Sequence, residues 1–145
     1  MREMGVVGAG GAGFPTSVKA AAQAEFMLAN GAECEPLLHK DFELMRHHAG
    51  EVIAGLKRMA EATGANRAVV GVKEKNKEAV ESLRPHAEKA GFDFCLLGDF
   101  YPSGDEYELV YAATGRLIPA GGPAVRWPRP PRAGTMAPPV DRPRP

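Results

Sequence analysis

The amino-acid sequence predicts an α/β fold with a mostly parallel sheet, flanking helices and a disordered C-terminal tail. Three observations carry this prediction. Short apolar runs alternate with stretches whose apolar residues recur every three or four positions, and a glycine-rich turn follows the first run. The periodic pattern stops after Gly122. We therefore expect one folded domain over residues 1–122 and a disordered tail rich in proline and arginine over residues 123–145.

The first predicted elements are short. Residues 5–7 (GVV) predict a strand that runs straight into the glycines. Pro15 stands where a helix can begin, since a proline in the first turn loses no needed hydrogen bond. Residues 17–24 (SVKAAAQA) then predict a short helix, and residues 25–31 (EFMLANG) predict a buried strand that ends in a polar turn.

A long amphipathic helix is predicted next. Asp41 is a good N-cap, and Gly64 is a good end signal after about six turns. The apolar residues between them share one helical face: Phe42, Met45, Ala49, Val52, Ile53, Leu56, Met59 and Ala60. We therefore expect one continuous helix that packs through this stripe.

The remaining elements repeat the alternation. Residues 67–73 (RAVVGVK) and 92–98 (FDFCLLG) predict strands, and residues 76–91 predict an amphipathic helix between them, with Pro85 as a candidate kink. Residues 104–115 predict a last helix, whose first turn carries acids that the helix dipole favours. Strands that alternate with helices in this way indicate parallel pairing.

Charge and hydropathy exclude several classes of protein. Residues 1–122 carry 13 Lys+Arg against 17 Asp+Glu, a net charge of −4, whereas residues 123–145 carry five arginines and one aspartate, a net charge of +4. A mildly acidic body lacks the clustered basic surface of a nucleic-acid-binding domain. No apolar run reaches the ~18 residues of a transmembrane span, and the first residues lack the apolar core of a secretory signal.

The cysteines and histidines predict neither a disulfide nor a metal site. Cys34 and Cys95 provide no disulfide framework and cannot supply the four thiolates of an iron–sulfur cluster. We expect Cys34 to be a small buried residue rather than a reactive thiol. His39, His47 and His48 have no metal-ligand spacing. A reducing, cytoplasmic setting fits this composition best.

The glycine-rich loop carries the first functional signal. Gly8, Gly10 and Gly13 satisfy the spacing G-x-G-x-x-G, and Glu33 lies 20 residues beyond the last of them. This spacing is typical of the dinucleotide-binding turn of Rossmann-like folds, in which the acid reaches a ribose hydroxyl. The alternative is a tight structural turn in which glycines relieve crowding.

The residues that follow this loop favour a ligand. Glycines let backbone N–H groups converge, and a helix start behind them makes a site for a phosphate or a flat ring. Lys19, one turn into that helix, is placed to neutralise a phosphate. Phe14 provides either a plane for stacking or a core anchor, and the sequence leaves both open.

Two further polar clusters follow predicted strands. Glu33 and Glu35 come directly after the second predicted strand, and the stretch YPSGDEYEL, which begins at Tyr101, follows the fourth. In a parallel sheet the ligand crevice lies beyond the carboxyl ends of the strands, so all three clusters are expected at the same edge. Asp105 and Glu106 can equally cap the helix that starts there.

Three long motifs together resemble a known family. GVVGAGGAGFPT, NGAECEPLL and YPSGDEYELVYAATGRLIPAGG occur in the order found in the flavoprotein subunit of NADH:quinone oxidoreductase, the 51-kDa type. They are most similar to its RnfC and PduS-like branch, and the resemblance spans Gly5 to Gly122. It implies a noncovalent FMN, an NADH site above it, and electron transfer to iron–sulfur centres on other segments or subunits. The implied partners are other subunits of an electron-transfer complex, including an iron–sulfur protein.

The resemblance also implies roles for individual residues. The flavin-cradling loop would be formed by Gly8, Gly10, Gly11 and Gly13. Lys19 would contact the flavin or its phosphate, Asn30 would bond the isoalloxazine edge, and Phe14 would stack on the adenine of NADH.

On the nicotinamide side the resemblance places Glu33 and Glu35, with Glu33 as the catalytic carboxylate that fixes hydride donor and acceptor. Tyr101 would flank the flavin. The family's Gly-Glu-Glu turn is matched by Gly104, Asp105 and Glu106, with Asp for the first Glu. An aspartate of the respiratory subunit is replaced by Ala32, a departure that is usual in the RnfC-like branch.

The resemblance stops where the tail begins. After RLIPAGG the family continues with a segment that completes the flavin pocket, then with a small β-grasp-like domain and cysteine-rich cluster motifs, and none of these follows Gly122. The tail is either a Pro/Arg-rich interaction segment or a reading frame that no longer encodes the fold, and the coincidence of the two boundaries favours the second. We expect weak or absent FMN affinity in this isolated chain, because a pocket without one wall loses contacts to one side of the ring.

Two hypotheses about function follow. The first is an FMN-dependent, NADH-oxidising electron-transfer module in the cytoplasm, peripheral on the inner face of the cell membrane or in a microcompartment. The second is a truncated, noncatalytic fragment that serves at most in complex assembly. An ordinary Rossmann dehydrogenase fits less well, since a substrate domain and a catalytic acid/base pair are missing.

Overall fold

Three parallel strands form the central sheet. The computed structural model describes residues 1–8, 13–35 and 37–118. The strands β1 (Phe26–Asn30), β2 (Arg67–Lys73) and β3 (Asp93–Leu97) lie in the order β1-β2-β3, and both pairings are parallel. The α/β class and the parallel sheet predicted from the sequence are confirmed. The predicted tail over residues 123–145 lies outside the described residues.

Helices precede, connect and follow these strands. Along the described residues they are α1 (Thr16–Ala20), α2 (Lys40–His47), α3 (Ala49–Thr63), α4 (Lys77–Ala90) and α5 (Glu106–Thr114). The last three end at left-handed glycines, namely Gly64, Gly91 and Gly115. The helix ends predicted at these glycines are therefore confirmed. The longest of these helices has 15 residues, and none in the described ranges has the length and apolarity to cross a bilayer.

Apolar clusters on both faces hold the sheet between the helices. One face of β2 presents Ala68, Val70 and Val72 to a cluster that α2, α3 and α4 complete. The opposite face presents Val69 to a smaller cluster with Leu109 of α5. This alternation follows the two-residue period of a strand. The three valines are at most 1% exposed, and burying a side chain of this size contributes about 1.5–3 kcal/mol.

The long helix expected from the sequence is in fact two helices. The chain leaves helical geometry at His48 (φ −126°, ψ 31°), so α2 ends before this residue and α3 begins after it. α2 packs against α4, whereas α3 also covers β1 and β2, and one non-helical residue lets each helix follow its own partners. The apolar stripe continues through both helices, so its periodicity does not reveal the break.

The start of α2 also differs from the prediction. Asp41 lies in the first turn, and the N-cap is His39, which makes no side-chain capping bond. The backbone N–H of Asp41 donates instead to Oε1 of Glu33 at 3.4 Å. A carboxylate from the loop after β1 therefore satisfies one of the donors that a helix start leaves without an internal partner.

Three smaller predictions are corrected or refined. Residues 5–7 form no strand of the sheet, because Val7 makes only an isolated antiparallel bridge with Pro15. α1 ends at Ala20, four residues before the expected end. α4 runs through Pro85, which is exposed, so the missing backbone hydrogen bond falls on the solvent side of the helix.

Candidate cofactor-binding site

The loops after β1 and β3 meet at the carboxyl edge of the sheet. The side-chain amide of Asn30, at the end of β1, donates to the carbonyl oxygen of Gly104 at 2.7 Å. Its Oδ1 accepts from the backbone N–H of Ala32 at 3.1 Å. One side chain thus joins segments 74 residues apart in the chain. Two of the three clusters expected at this edge are therefore in direct contact.

Gly104 fits this junction only as glycine. Its φ is +102°, a conformation that residues with a Cβ rarely adopt, and a Cβ there would overlap the carbonyl oxygen of Ala32. The N–H of Gly104 donates to Oε2 of Glu108 at 2.9 Å. The backbone of this glycine is therefore held by Asn30 at its acceptor and by Glu108 at its donor.

Asp105 is the N-cap of α5. Its carboxylate accepts from the backbone N–H of Tyr107 at 2.8 Å. The sequence left helix capping and ligand contact open for Asp105 and Glu106, and capping is what the structure shows for Asp105. Glu106 is exposed in the first turn of the helix. Ligand contact by these two residues stays a prediction.

Two buried polar atoms at this edge have no hydrogen-bond partner within the part of the chain that the structure describes. They are Oε2 of Glu33, after β1, and Oγ of Ser103, after β3. Ser103 has no solvent exposure at all. Native proteins leave few buried polar atoms unpaired, and those that remain are groups that water or a ligand can satisfy. The unpaired atoms therefore suit a polar ligand at this edge.

The two cysteines differ in burial, and Cys34 departs from expectation. Cys34, predicted to be buried, is exposed in the loop after β1, as is Glu35 beside it. Cys95 in β3 is buried. Burial raises the pKa of this thiol, and the negative charge of Glu108 adds to the effect.

The glycine-rich loop is described at its two ends. The N–H of Gly8 donates to the carbonyl oxygen of Phe14 at 2.9 Å and so closes the loop. Gly13 has a φ of 61°. Phe14 is 42% exposed, whereas a core anchor is buried. The predicted cradle residues Gly10 and Gly11 lie outside the described residues.

A groove of about 390 Å³ runs along β1 between α3 and α5. Lys19, Asn30 and Glu106 line it together, so the helix after the glycine loop, the end of β1 and the start of α5 share one cavity. The ammonium nitrogen of Lys19 also lies 5.6 Å from the ring centroid of Phe14. Most of the remaining lining is apolar: Ala22, Ala24, Phe26, Met27, Leu28, Met59, Leu109 and Val110.

Two charged residues near this edge, Lys73 and Glu108, were not predicted from the sequence as site residues. Lys73 ends β2 with its side chain only 8% exposed, and its Nζ lies 3.8 Å from Asp99, which Lys75 approaches to 2.7 Å. The hydrogen bond from Lys75 lowers the pKa of Asp99, and the charges of both lysines act in the same direction. A lysine that ends an apolar strand is a signal that could have marked Lys73. Glu108 offers no such signal, since acids are common in a first helical turn.

Metal binding receives no support from the described ranges. Within them, no group of three or more His, Cys, Asp or Glu side chains is placed to hold a metal ion.

Sequence comparison decides the family. A profile of the Nuo51 FMN-binding domain matches residues 1–129. The chain belongs to the Nuo51 FMN-binding domain family. The flavoprotein resemblance that three motifs indicate is thereby confirmed.

The relatives of this Nuo51-type domain are longer proteins. It is 46% identical over 125 residues to the cobalamin reductase PduS of Salmonella typhimurium, an alignment that covers 86% of this chain and 28% of that protein. It is 35% identical over 126 residues to one subunit of the proton-translocating ferredoxin:NAD(+) oxidoreductase complex of Clostridium ljungdahlii, covering 84% of this chain and 28% of that relative. It is 36% identical over 126 residues to one subunit of the ion-translocating oxidoreductase complex of Pseudomonas aeruginosa, an alignment that covers 84% of this chain and 16% of that relative. The Nuo51-type chain thus spans between 16% and 28% of the length of these relatives.

Proposed function

We propose that this domain binds FMN noncovalently and takes part in electron transfer from NADH to iron–sulfur centres on other segments or subunits. The observation that best supports this is the meeting of motif residues at one edge of the sheet. Asn30 joins the loop after β1 to Gly104, and Lys19 lines the groove that Asn30 shares with Glu106. Open α/β sheets bind ligands at the carboxyl ends of their strands, as proposed here.

The side chains at this edge suit the chemistry of FMN. Lys19 offers a positive charge to the phosphate. Phe14 and Tyr101, which are 42% and 86% exposed, offer aromatic faces to a flat ring. The unpaired atoms of Glu33 and Ser103 offer polar contacts. When bound, FMN would supply the hydride and one-electron redox chemistry that these side chains lack.

The proposed roles of single residues are adjusted to the observed contacts. One N–H of the Asn30 amide is taken by Gly104 and its oxygen by Ala32, so a bond to the isoalloxazine edge would use the second N–H. Glu33 has one oxygen at the start of α2 and one unpaired, and the unpaired oxygen is the one we assign to orienting the nicotinamide. Glu35 is exposed beside it. The glycine loop would cradle the flavin through Gly8, Gly10, Gly11 and Gly13.

Partners and location follow from the same proposal. The relatives in Clostridium ljungdahlii and Pseudomonas aeruginosa are subunits of oxidoreductase complexes. We propose that this domain likewise works with other subunits of an electron-transfer complex, one of them an iron–sulfur protein. Its place would be the cytoplasm, at the inner face of the cell membrane or in a microcompartment.

A second candidate function is a noncatalytic fragment that assists the assembly of a complex. The chain spans at most 28% of the length of the relatives compared. NADH oxidation by this chain alone is the property that distinguishes the two candidates.

The test is an FMN titration of the purified 145-residue chain, followed by visible absorbance and by quenching of FMN fluorescence. We expect saturable binding that is too weak to survive gel filtration, and NADH-driven ferricyanide reduction that depends on added FMN. Lys19→Ala is expected to weaken binding about tenfold, since it removes the cation proposed for the phosphate. Lys57→Ala, an exposed lysine on α3, is the matched control and is expected to bind like the parent chain.

Each outcome separates the candidates. Absence of any spectral change up to about 1 mM FMN would contradict FMN binding and favour the assembly fragment. Binding without ferricyanide reduction would place cofactor binding in this chain and catalysis elsewhere. Equal losses of FMN affinity in Lys19→Ala and Lys57→Ala would contradict the proposed contact between Lys19 and the phosphate.

A further inference from the structure

We propose that Glu108 is a positioning residue for the cofactor site, which holds the loop over residues 101–104 against the end of β1. It acts through the backbone of Gly104 and touches no ligand itself. This inference rests on the proposed function, because an effect on FMN presupposes that FMN binds at this edge.

Three residues form the contact that we term the Gly104 clamp. Oε2 of Glu108, in the first turn of α5, accepts the N–H of Gly104 at 2.9 Å. On the other side of the same glycine, Asn30 of β1 donates to its carbonyl oxygen at 2.7 Å. The clamp therefore connects the sheet to the last helix through the loop between β3 and α5.

Local hydrogen bonds shape this loop but do not attach it to the sheet. The N–H of Ser103 donates to the carbonyl oxygen of Phe100, and the N–H of Asp105 to that of Pro102, each at 2.8 Å. Both bonds stay within residues 100–105. Tyr101 is 86% exposed, so little packing fixes its ring. The position of this tyrosine therefore depends on what holds the loop as a whole.

Glu108 does not play the usual capping role of an acid at its position. It is the third residue of α5, where a glutamate commonly reaches back to the N-cap N–H in a capping box. Here the N-cap is Asp105, whose N–H is already bonded to Pro102, and Glu108 reaches one residue further, to Gly104. Its carboxylate is thus used on the loop rather than on the helix end.

A carboxylate suits this task physically. A hydrogen bond from a backbone N–H to a charged oxygen is shorter and stronger than one between neutral groups. The N-terminal end of α5 also stabilises a negative charge in its first turn. An amide oxygen in the same place keeps the bond in a weaker form, whereas a methyl group removes it and leaves the buried Gly104 N–H unpaired.

The experiment compares Glu108→Ala and Glu108→Gln with the parent chain and with Glu81→Ala, an exposed acid on α4. The first measurement is amide hydrogen exchange of residues 101–104 without FMN. We expect Glu108→Ala to accelerate exchange about tenfold in this loop alone, and Glu108→Gln and Glu81→Ala to stay within about threefold of the parent. The second measurement is the FMN dissociation constant, which we expect to rise about tenfold in Glu108→Ala and to be largely restored in Glu108→Gln.

The two measurements separate a failure of this inference from a failure of the proposed function. Unchanged loop exchange in Glu108→Ala would overturn the clamp, as would faster exchange spread over all of the described strands and helices, since that indicates general destabilisation. Equal loss of FMN affinity in Glu108→Gln and Glu108→Ala would overturn positioning by this hydrogen bond. Absence of FMN binding in the parent chain would overturn the proposed function and the ligand effect with it, and loop exchange alone would then decide whether Glu108 holds the loop.

Discussion

The ion pair between Arg116 and Glu25 fastens the segment after α5 to the start of β1. The guanidinium donates to both carboxylate oxygens, at 2.6 and 3.0 Å, across 91 residues of sequence. It also lies 5.3 Å from the ring centroid of Phe26. Arg116→Ala removes the forked hydrogen bond and the contact with the ring together, so its effect on stability measures how firmly this segment is held.

The expected magnitude follows from the exposure of the two side chains. Arg116 is 18% exposed and Glu25 is 39% exposed, so water screens the pair only in part. A forked pair in this setting contributes about 1 kcal/mol, at the upper end of the range for exposed pairs. The aromatic contact adds about 0.5 kcal/mol. We therefore expect Arg116→Ala to lower the free energy of unfolding by about 1.5 kcal/mol and the Tm by about 4–8 °C.

The effect should also depend on pH. The hydrogen bond from Arg116, together with the charges of Arg116 and Arg67, lowers the pKa of Glu25 below its ordinary value of 4.5 despite partial burial. A carboxyl with a lowered pKa in the folded state stabilises the fold above its unfolded pKa, and this contribution is lost as the pH falls through the folded pKa. The difference between the parent chain and Arg116→Ala should be constant above about pH 5.5 and shrink below pH 4.5.

Urea denaturation followed by circular dichroism provides the assay. The single variants Arg116→Ala and Glu25→Gln and the double variant form a double-mutant cycle, from which we expect a coupling energy of about 1 kcal/mol. Arg116→Lys is the control that keeps the charge and loses the fork, and it should recover less than half of the loss. Additivity of the two singles within about 0.3 kcal/mol, or a loss that does not change with pH, would refute the reasoning.

Three further predictions concern the edge of the sheet. Gly104→Ala should lower the free energy of unfolding, measured by urea denaturation, by more than about 2 kcal/mol, because the φ of Gly104 is +102° and a Cβ would overlap the carbonyl oxygen of Ala32. The control Gly55→Ala, in open space on α3, should raise the free energy of unfolding by up to about 1 kcal/mol, and similar values for both variants would contradict this. Asp105→Ala should cost about 1 kcal/mol and Asp105→Asn much less, since the amide oxygen still caps α5; equal losses would argue against the cap. In a Cys34→Ser background, alkylation of Cys95 should be slow and should still accelerate above pH 9.0, because its pKa is raised; a rate that levels off below that pH would disprove it.

Local signals in the sequence predicted much of the fold. Gly64, Gly91 and Gly115 end helices because only their own backbone conformation is involved, and that preference is visible in the sequence. The run over residues 67–73 is apolar on both faces of the strand and becomes the buried central strand β2. The meeting of the loops after β1 and β3 at one edge was predictable as well, since the carboxyl ends of parallel strands coincide.

Features that depend on tertiary partners could not be predicted. The break at His48 depends on what α2 and α3 pack against, and the apolar stripe does not record this. The backbone N–H of Asp41 donates to the carboxylate of Glu33, a residue whose motif suggests only a ligand contact. The hydrogen bond from the Asn30 side chain to the Gly104 carbonyl joins residues far apart in sequence, and neither residue type indicates the other.

We propose that FMN binds at the edge formed by the loops after β1 and β3, beside the helix that follows the glycine loop. The decisive experiment is hydrogen exchange of the purified chain with and without saturating FMN. We expect protection in peptides that cover residues 13–19, 30–35 and 101–106, with little change in α3 and α4. Protection elsewhere in the domain, or none in these three segments while FMN is bound, would contradict it.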